Sequence, residues 1–260
     1  MTARTILITG AGSGIGRALA IEADQRGHRV ILVGRRAGPL AQTAEGLRDA
    51  LVLPADVTTP NGRAAIAQAV AETGLDILIN NAGMVPSGAA ETTDDAQIAA
   101  TLALNIAAPI ALTRDLLGTL TASRGQVVNV GSVFGDIGFP YFALYSASKF
   151  ALRGWSDALR RELAPRGIAV TYLAPRATRT DAAQGFAALT GPMAMTLDSP
   201  DVVAAHAWRA IAARQREQMP ASRERLFVAL QRLRPGLIDR ALIRLARDPA
   251  VIAAARDLPS

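Results

Sequence analysis

The chain contains no cysteine, which excludes disulfides, thiol nucleophiles, iron–sulfur clusters and cysteine-ligated zinc together. Histidine is nearly as scarce: His28 and His206 are the only two, far apart in sequence. A histidine-rich metal site or a Ser-His-Asp triad is poorly supplied, and no metal is expected. His28 sits in the polar turn Arg26-Gly27-His28-Arg29 and reads as solvated, and His206 lies in an alanine-rich helical stretch. No apolar run approaches the roughly 18 residues that cross a bilayer. No charged segment backed by a long apolar stretch opens the chain, so a soluble cytoplasmic protein is expected.

Lysine is the third scarcity. Of the 28 basic residues all but Lys149 are arginine. An ammonium is compact and can shift its pKa, whereas a guanidinium is a planar fork that stays charged. A lone lysine in so arginine-rich a chain directs attention to its surroundings.

The 260 residues suit one large α/β domain, and half of them are hydrophobic, enough for a sizeable core. The net charge is +6, but residues 209–260 hold 11 Arg against 5 Asp or Glu, and the rest of the chain is neutral. A basic tail does not by itself imply nucleic acid, and none is expected.

Short apolar runs at 5–9, 29–33, 51–54, 75–79, 126–130 and 168–173 alternate with helical stretches at 14–26, 39–50, 61–73, 94–121 and 144–164. Strands apolar throughout are buried on both faces of a parallel sheet. The spacing predicts a single Rossmann-type α/β domain over residues 1–260: a doubly wound parallel sheet, helices on both faces, and a C-terminal helical extension over 216–260. Ligands bind such sheets at the carboxyl ends of the strands, where strand order reverses.

The motifs fall there. Thr9-Gly10-Ala11-Gly12-Ser13-Gly14-Ile15-Gly16 follows the first strand and opens a helix. Glycines allow the close backbone approach, and the helix N-terminus the free N–H groups, that a pyrophosphate needs. After the second strand stands Gly34, where an NAD site usually has a carboxylate, followed by Arg35 and Arg36. That pair is suited to a 2′-phosphate, which points to NADP(H) rather than NAD(H); a solvated arginine pair is the plainer reading. Asp56-Val57 ends the third strand, placed for the adenine. Asn80-Asn81-Ala82-Gly83 ends the fourth, with two polar groups to bond across strand ends and two small residues leaving room for a cofactor.

Ser132 follows the fifth strand, and Tyr145 and Lys149 stand at i and i+4, one face of a helix. A tyrosine near an ammonium can exchange a proton with a developing alkoxide, the ammonium favouring phenolate. Asn105 interrupts an apolar helix face; a helix-bending or solvent-facing asparagine would look the same.

In combination these residues resemble the short-chain dehydrogenase/reductase family in its roughly 250-residue branch, over about residues 4–215. The motifs TGxxxGxG at 9–16, NNAG at 80–83 and YxxxK at 145–149 carry the resemblance, with Asn105 and Ser132. It implies an oxidoreductase moving a hydride between nicotinamide and a carbonyl or alcohol carbon. Tyr145 is then the general acid/base. Lys149 binds the nicotinamide ribose, Ser132 polarises the carbonyl, and Asn105 holds a relay water. Pro175, Thr178 and Thr180 are implied to face the nicotinamide, with Arg176 where the family has glycine. Two other readings compete: a nucleotide-sensing module on the same fold, which loss of Tyr145 or Lys149 would have favoured, and a sugar-nucleotide epimerase, which the glycine spacing opposes.

Phe134, Phe139, Phe142 and Phe150, with Ile137, Pro140 and Leu144, suggest an apolar substrate wall, Phe134 and Phe139 foremost; core packing is the other reading. Residues 181–199 suit a mobile lid. In the tail, Leu226, Ala229, Leu230 and Leu233 fall at helical spacing, as do Ile238, Ala241, Leu242 and Leu245 beyond a Pro235-Gly236 turn. These stripes are expected to pack on the body or a partner subunit, with a small-molecule substrate and a homo-oligomer as the partners foreseen. An anionic membrane surface is the less favoured cover.

Overall fold

The computed structural model describes residues 3–220 and 223–258. Seven strands form one parallel sheet in the order β3-β2-β1-β4-β5-β6-β7. They are β1 (Thr5–Thr9), β2 (Arg29–Gly34), β3 (Ala50–Pro54), β4 (Ile77–Asn80), β5 (Gln126–Val130), β6 (Ala169–Leu173) and the two-residue β7 (Glu217–Gln218). Strand order reverses between β1 and β4, which pair Ile6 with Ile77 and Ile8 with Ile79. β1 and β5 match the expected bounds. β4 begins later than the apolar pattern and extends to Asn80, which still pairs with Asn129 of β5. No apolar run announces β7.

α1 (Gly14–Gln25) and α9 (Pro200–Ala212) cover one face. Their alanines let the two helices approach closely, and Ala20, Ala23, Ala204, Ala207 and Trp208 are buried on the sheet. The Trp208 indole donates to the Leu19 carbonyl at 3.0 Å. α3 (Pro60–Thr73), α5 (Ala108–Ala122) and α6 (Ala143–Leu163) cover the other face. Leu112, Leu116 and Leu120 of α5 are buried there, each worth about 1.5–3 kcal/mol. α2 (Ala37–Ala44) is shorter than expected and joins β2 to β3.

The run expected as one helix over 94–121 is α4 (Asp95–Leu102), a π-turn (Ala103–Ala107) and α5. By length and composition this run of 28 residues could cross a membrane, contrary to expectation. Its α5 face is nonetheless packed on the sheet as a core helix.

Beyond β6, the segment expected as a lid holds two short helices, α7 (Asp181–Gln184) and α8 (Ala187–Thr190). Among the described residues the tail holds three helices: α10 (Arg223–Leu233), α11 (Pro235–Ala246) and α12 (Pro249–Arg256), the last without an expected counterpart. Pro235-Gly236 is not a turn between helices but the first turn of α11, where proline's missing N–H costs nothing. α11 seats Ile238 and Leu242 against the body, as expected. α10 does not follow its stripe: it buries Val228 and leaves Leu226 and Leu233 67% and 81% exposed.

His28 is also unlike its expectation. It is buried, its ring 5.8 Å from Trp208, and its Nδ1 has no hydrogen-bond partner among the described residues. Burial, helped by Arg4 and Arg26, holds its pKa below 6.5. The unfolded chain therefore binds the proton more readily, and stability is lost as pH falls below the unfolded value. Thermal melts from pH 8 to pH 5 should show the midpoint declining, and His28→Phe should flatten that decline. An unchanged slope in the variant would mean that other groups set it.

Candidate active site

A cleft of about 240 Å3 opens at the carboxyl ends of the central strands. Its floor begins with β1. The Thr9 hydroxyl accepts the N–H groups of Asn81 and Ala82, each at 3.0 Å, and the Asn81 amide donates to the Thr9 carbonyl at 2.8 Å. Asn81 thus bonds across strand ends as expected. Asn80 also reaches the neighbouring strand, but through side chains rather than backbone: its amide donates to Asn129 Oδ1 at 2.9 Å and Thr113 Oγ1 at 3.2 Å.

Gly10, Ser13, Gly14, Ile15, Asn81, Ala82 and Gly83 line one side of the cleft. Ser13 caps α1 without using its side chain on the helix, so its hydroxyl remains available beside the first-turn N–H groups. A Cβ on Gly14 would stand 2.8 Å from Thr180 Cγ2, closing the space between helix and loop. These features fit a dinucleotide pyrophosphate. Gly12 and Gly16 do not face the cleft. Gly12 packs on Pro39, and a Cβ on Gly16 would collide with the Gly10 carbonyl at 2.3 Å. Both permit the close packing of the turn on its neighbours.

Gly34 of β2 and Pro54 of β3 are paired, which places Arg35 beside Asp56. Arg35 and Arg36 are exposed. The Asp56 carboxylate accepts from the N–H and hydroxyl of Thr58, at 2.9 and 2.6 Å, and these bonds hold its pKa below the usual value with help from Arg35. Val57 is buried, so its side chain serves the core.

Tyr145, Lys149 and Ser132 converge on the cleft's far wall. Tyr145 lies in the first turn of α6, and Lys149 one turn on puts Nζ 5.6 Å from the phenol ring centre. The ammonium donates to the Val130 carbonyl at 2.9 Å, at the end of β5. Burial brings its pKa down to about 8. Burial also pushes the Tyr145 phenol up to about 12, a rise that a hydrogen bond with Ser132 partly opposes. The lowered phenol expected from a nearby ammonium is not found in the protein alone: burial raises it, and the group opposing that rise is Ser132. The Ser132 hydroxyl accepts from Phe134 N–H at 3.1 Å.

Asn105 sits in the π-turn, fully buried. Its Oδ1 accepts from Met84 N–H at 2.9 Å, and its amide donates to Met84 O and Ser148 Oγ, each at 3.0 Å. Ser148 in turn donates to the Tyr145 carbonyl at 2.7 Å. Asn105 therefore ties the loop after β4 to α6, the helix of Tyr145 and Lys149, and is not solvent-facing.

Of the aromatic cluster, Phe134 and Phe142 line the cleft. Phe139 does not; it stacks behind Phe134 at 4.4 Å between ring centres. Phe150 points away and is exposed, and Ile137 packs under α10 and α11. Phe186 and Met195 complete the apolar wall. Phe186 belongs to a cluster with Val251 and Ala254 of α12, so the tail buttresses the segment over the cleft.

A family model described as short chain dehydrogenase matches residues 4–188. The chain belongs to this family. The 3-ketodihydrosphingosine reductase of Bacteroides thetaiotaomicron is 35% identical over 178 residues, 67% of this chain and 64% of that protein's length. The ketoacyl reductase HetN of Nostoc sp. is 29% identical over 92% of this chain and 88% of its own. A short-chain dehydrogenase from Streptomyces avermitilis superposes with a TM-score of 0.82 at 29% identity, covering 95% of this chain and 99% of that one. One from Sphingobium yanoikuyae, solved with NADPH, gives 0.75 at 30% identity over 91% and 95%. The named relatives are reductases and dehydrogenases, and the family is one of oxidoreductases.

Pro175, Thr178 and Thr180 line the cleft with Arg176. Arg176 is engaged within the protein: Nε and Nη2 hold Asp198 at 2.8 and 2.7 Å, and Nη1 reaches Glu224 of α10 at 3.5 Å. The family glycine is thus replaced by a clamp joining this loop to the end of the lid segment and to the tail. Backbone bonds from Arg179 to Asp198 and from Asp198 to Ala177 reinforce it.

Tyr172 joins the site without having stood out in the sequence. Fully buried on β6, its hydroxyl lies 3.3 Å from both the N–H and the carbonyl of Ser132 and 3.5 Å from the Lys149 carbonyl. Gly131 makes this possible, since a Cβ there would stand 2.0 Å from the ring. The glycine before Ser132 is the signal that could have found it. Gly131→Ala should destabilise the protein by about 1–3 kcal/mol through overpacking. Activity should fall as Ser132 shifts. Urea unfolding and turnover measure both; a variant as stable and active as the parent would show the notch to be slack.

Proposed function

We propose that the protein is an NADP(H)-dependent oxidoreductase interconverting an apolar ketone or aldehyde and its alcohol. The convergence of Tyr145, Ser132 and Lys149 on one cleft carries this reading. The dinucleotide, when bound, supplies or accepts the hydride. With a lone pair engaged by Phe134 N–H, the Ser132 hydroxyl beside Tyr145 can turn its proton from the phenol toward a substrate oxygen. Tyr145, held protonated at neutral pH, gives its proton to that oxygen in reduction and takes it back in oxidation. Lys149 keeps a positive charge below about pH 8, which stabilises the phenolate left behind. Asn105 spends most of its side-chain bonds on Met84 and Ser148, so a relay water at this residue would rest chiefly on its π-turn carbonyl.

Phe134, Phe142, Phe186 and Met195 support an apolar substrate body. Exposed Ile98, Leu102 and Phe150 on α4 and α6 support a homo-oligomer. An inactive NADP sensor is the second reading, favoured by no observation at the site.

Tyr145→Phe should abolish turnover while cofactor binding persists. Lys149→Arg should be severely impaired although charge is kept, because the longer fork does not fit the bond to Val130. Steady-state turnover over a panel of ketones measures both, and near-normal activity of Lys149→Arg would contradict the assigned role.

NADP(H) should bind more tightly than NAD(H), by at least about tenfold for a charge-assisted phosphate pair worth roughly 1.5–3 kcal/mol. Gly34 has room for a side chain, since a Cβ there would stand 3.4 Å from Leu40 Cδ2, in ordinary contact. Gly34→Asp with Arg35→Ser should therefore reverse the preference. Fluorescence titration with both cofactors decides; equal affinities would show the arginines to be merely solvated.

A further inference from the structure

α10 turns an apolar stripe to solvent. On a helix of 3.6 residues per turn, the exposed Leu226 and Leu233 share one face, opposite the buried Val228, while Leu230 between them is half-buried against the body. Leu237, in the first turn of α11, is exposed as well. Arg223 flanks this stripe on one side and Arg225 on the other, with Arg234 exposed just past the helix end, while Arg232 is held by Asp136. Across residues 223–247 the arginines far outnumber the acids, which are only Glu224 and Asp239. Glu224 is already bonded to Arg176.

Charge decides what can cover such a face. A second copy set against it would bring arginine rows onto arginine rows around the leucines. An anionic lipid surface accepts both features: the leucines enter the acyl boundary, and arginine stems lie along it while their guanidinium groups reach the phosphates. We infer that the exposed face of α10 and the start of α11 seat this protein on an anionic bilayer surface. The expectation that the tail's stripes would be buried in protein holds for Ile238 and Leu242 of α11 and for Leu230 of α10, but not for Leu226 and Leu233.

Co-sedimentation of the full chain tests this, using vesicles of phosphatidylglycerol and phosphatidylcholine in equal parts and vesicles of phosphatidylcholine alone. Binding is expected to the anionic vesicles at low salt, to weaken at high salt, and to be slight on phosphatidylcholine. Leu226→Ser with Leu233→Ser should weaken it at least about tenfold, since an exposed leucine gains from leaving water. Arg223→Gln, Arg225→Gln and Arg234→Gln together should weaken it by about fivefold or more for each charge. Both variants remove exposed groups, so circular dichroism and turnover of a water-soluble ketone should be unchanged. A wild-type protein that stays in the supernatant with anionic vesicles at low salt overturns the inference. So does a leucine variant that binds as the parent does. A leucine variant whose mass by light scattering drops, with no lipid binding in either protein, overturns it in favour of a second copy.

Discussion

The bond from the Lys149 ammonium to the Val130 carbonyl is the contact on which the active end of the molecule depends. It fixes α6 over the end of β5 and so places Tyr145 beside Ser132 at the mouth of the cleft. A buried ammonium is costly unless bonded, and the depressed pKa records that cost. Neighbouring contacts serve the same placement. Tyr172 props Ser132 from beneath, Ser148 and Asn105 hold the first turn of α6 against the loop after β4, and Asn129 bonds Ser156 from below at 2.9 Å.

A second set of contacts reaches outward from the site. Asp136, buried just after the Ser132 turn, accepts from Arg153 of α6 and Arg232 of α10, at 3.0 and 2.9 Å. Burial raises the Asp136 pKa, and the two guanidinium groups oppose that rise. Arg153 also pairs with Glu217 of β7 and lies over the Tyr172 ring. Together with Arg176, Asp198 and Glu224, these pairs join the tail to the cleft walls. The C-terminal helices are therefore part of the site's scaffold, with α12 behind the lid segment and α10 behind the Ser132 turn.

Much of this is legible in the sequence because it is local. The Gly-rich turn, the strand ends and the i, i+4 pair of Tyr145 and Lys149 are set by short-range chemistry, and the sheet's central strands by uniform apolar runs. What is not legible depends on partners distant in the chain. His28 reads as solvated among arginines and glycine, yet Trp208 covers it. Arg176 stands out only as a departure from the family glycine, and its partner Asp198 lies 22 residues on. Phe139 and Phe150 have the composition of a substrate wall, but the helix start at Ala143 turns them elsewhere. The stripe on α10 has the right period; periodicity identifies a face without saying what the face meets. α12 does leave a signal, Asp248 as N-cap before Pro249, which a search for helix starts would find.

The single lysine makes the central constraint directly measurable. In protein labelled with 13C-lysine, one side-chain resonance should report Lys149, and its chemical shift can be followed from pH 6 to pH 12. The account predicts a titration near 8 in the cofactor-free protein, moving upward when the Val130 end of β5 is loosened by unfolding. A midpoint at the ordinary 10.5 in the folded protein would mean that the ammonium is solvated, and the arrangement built on it would fall.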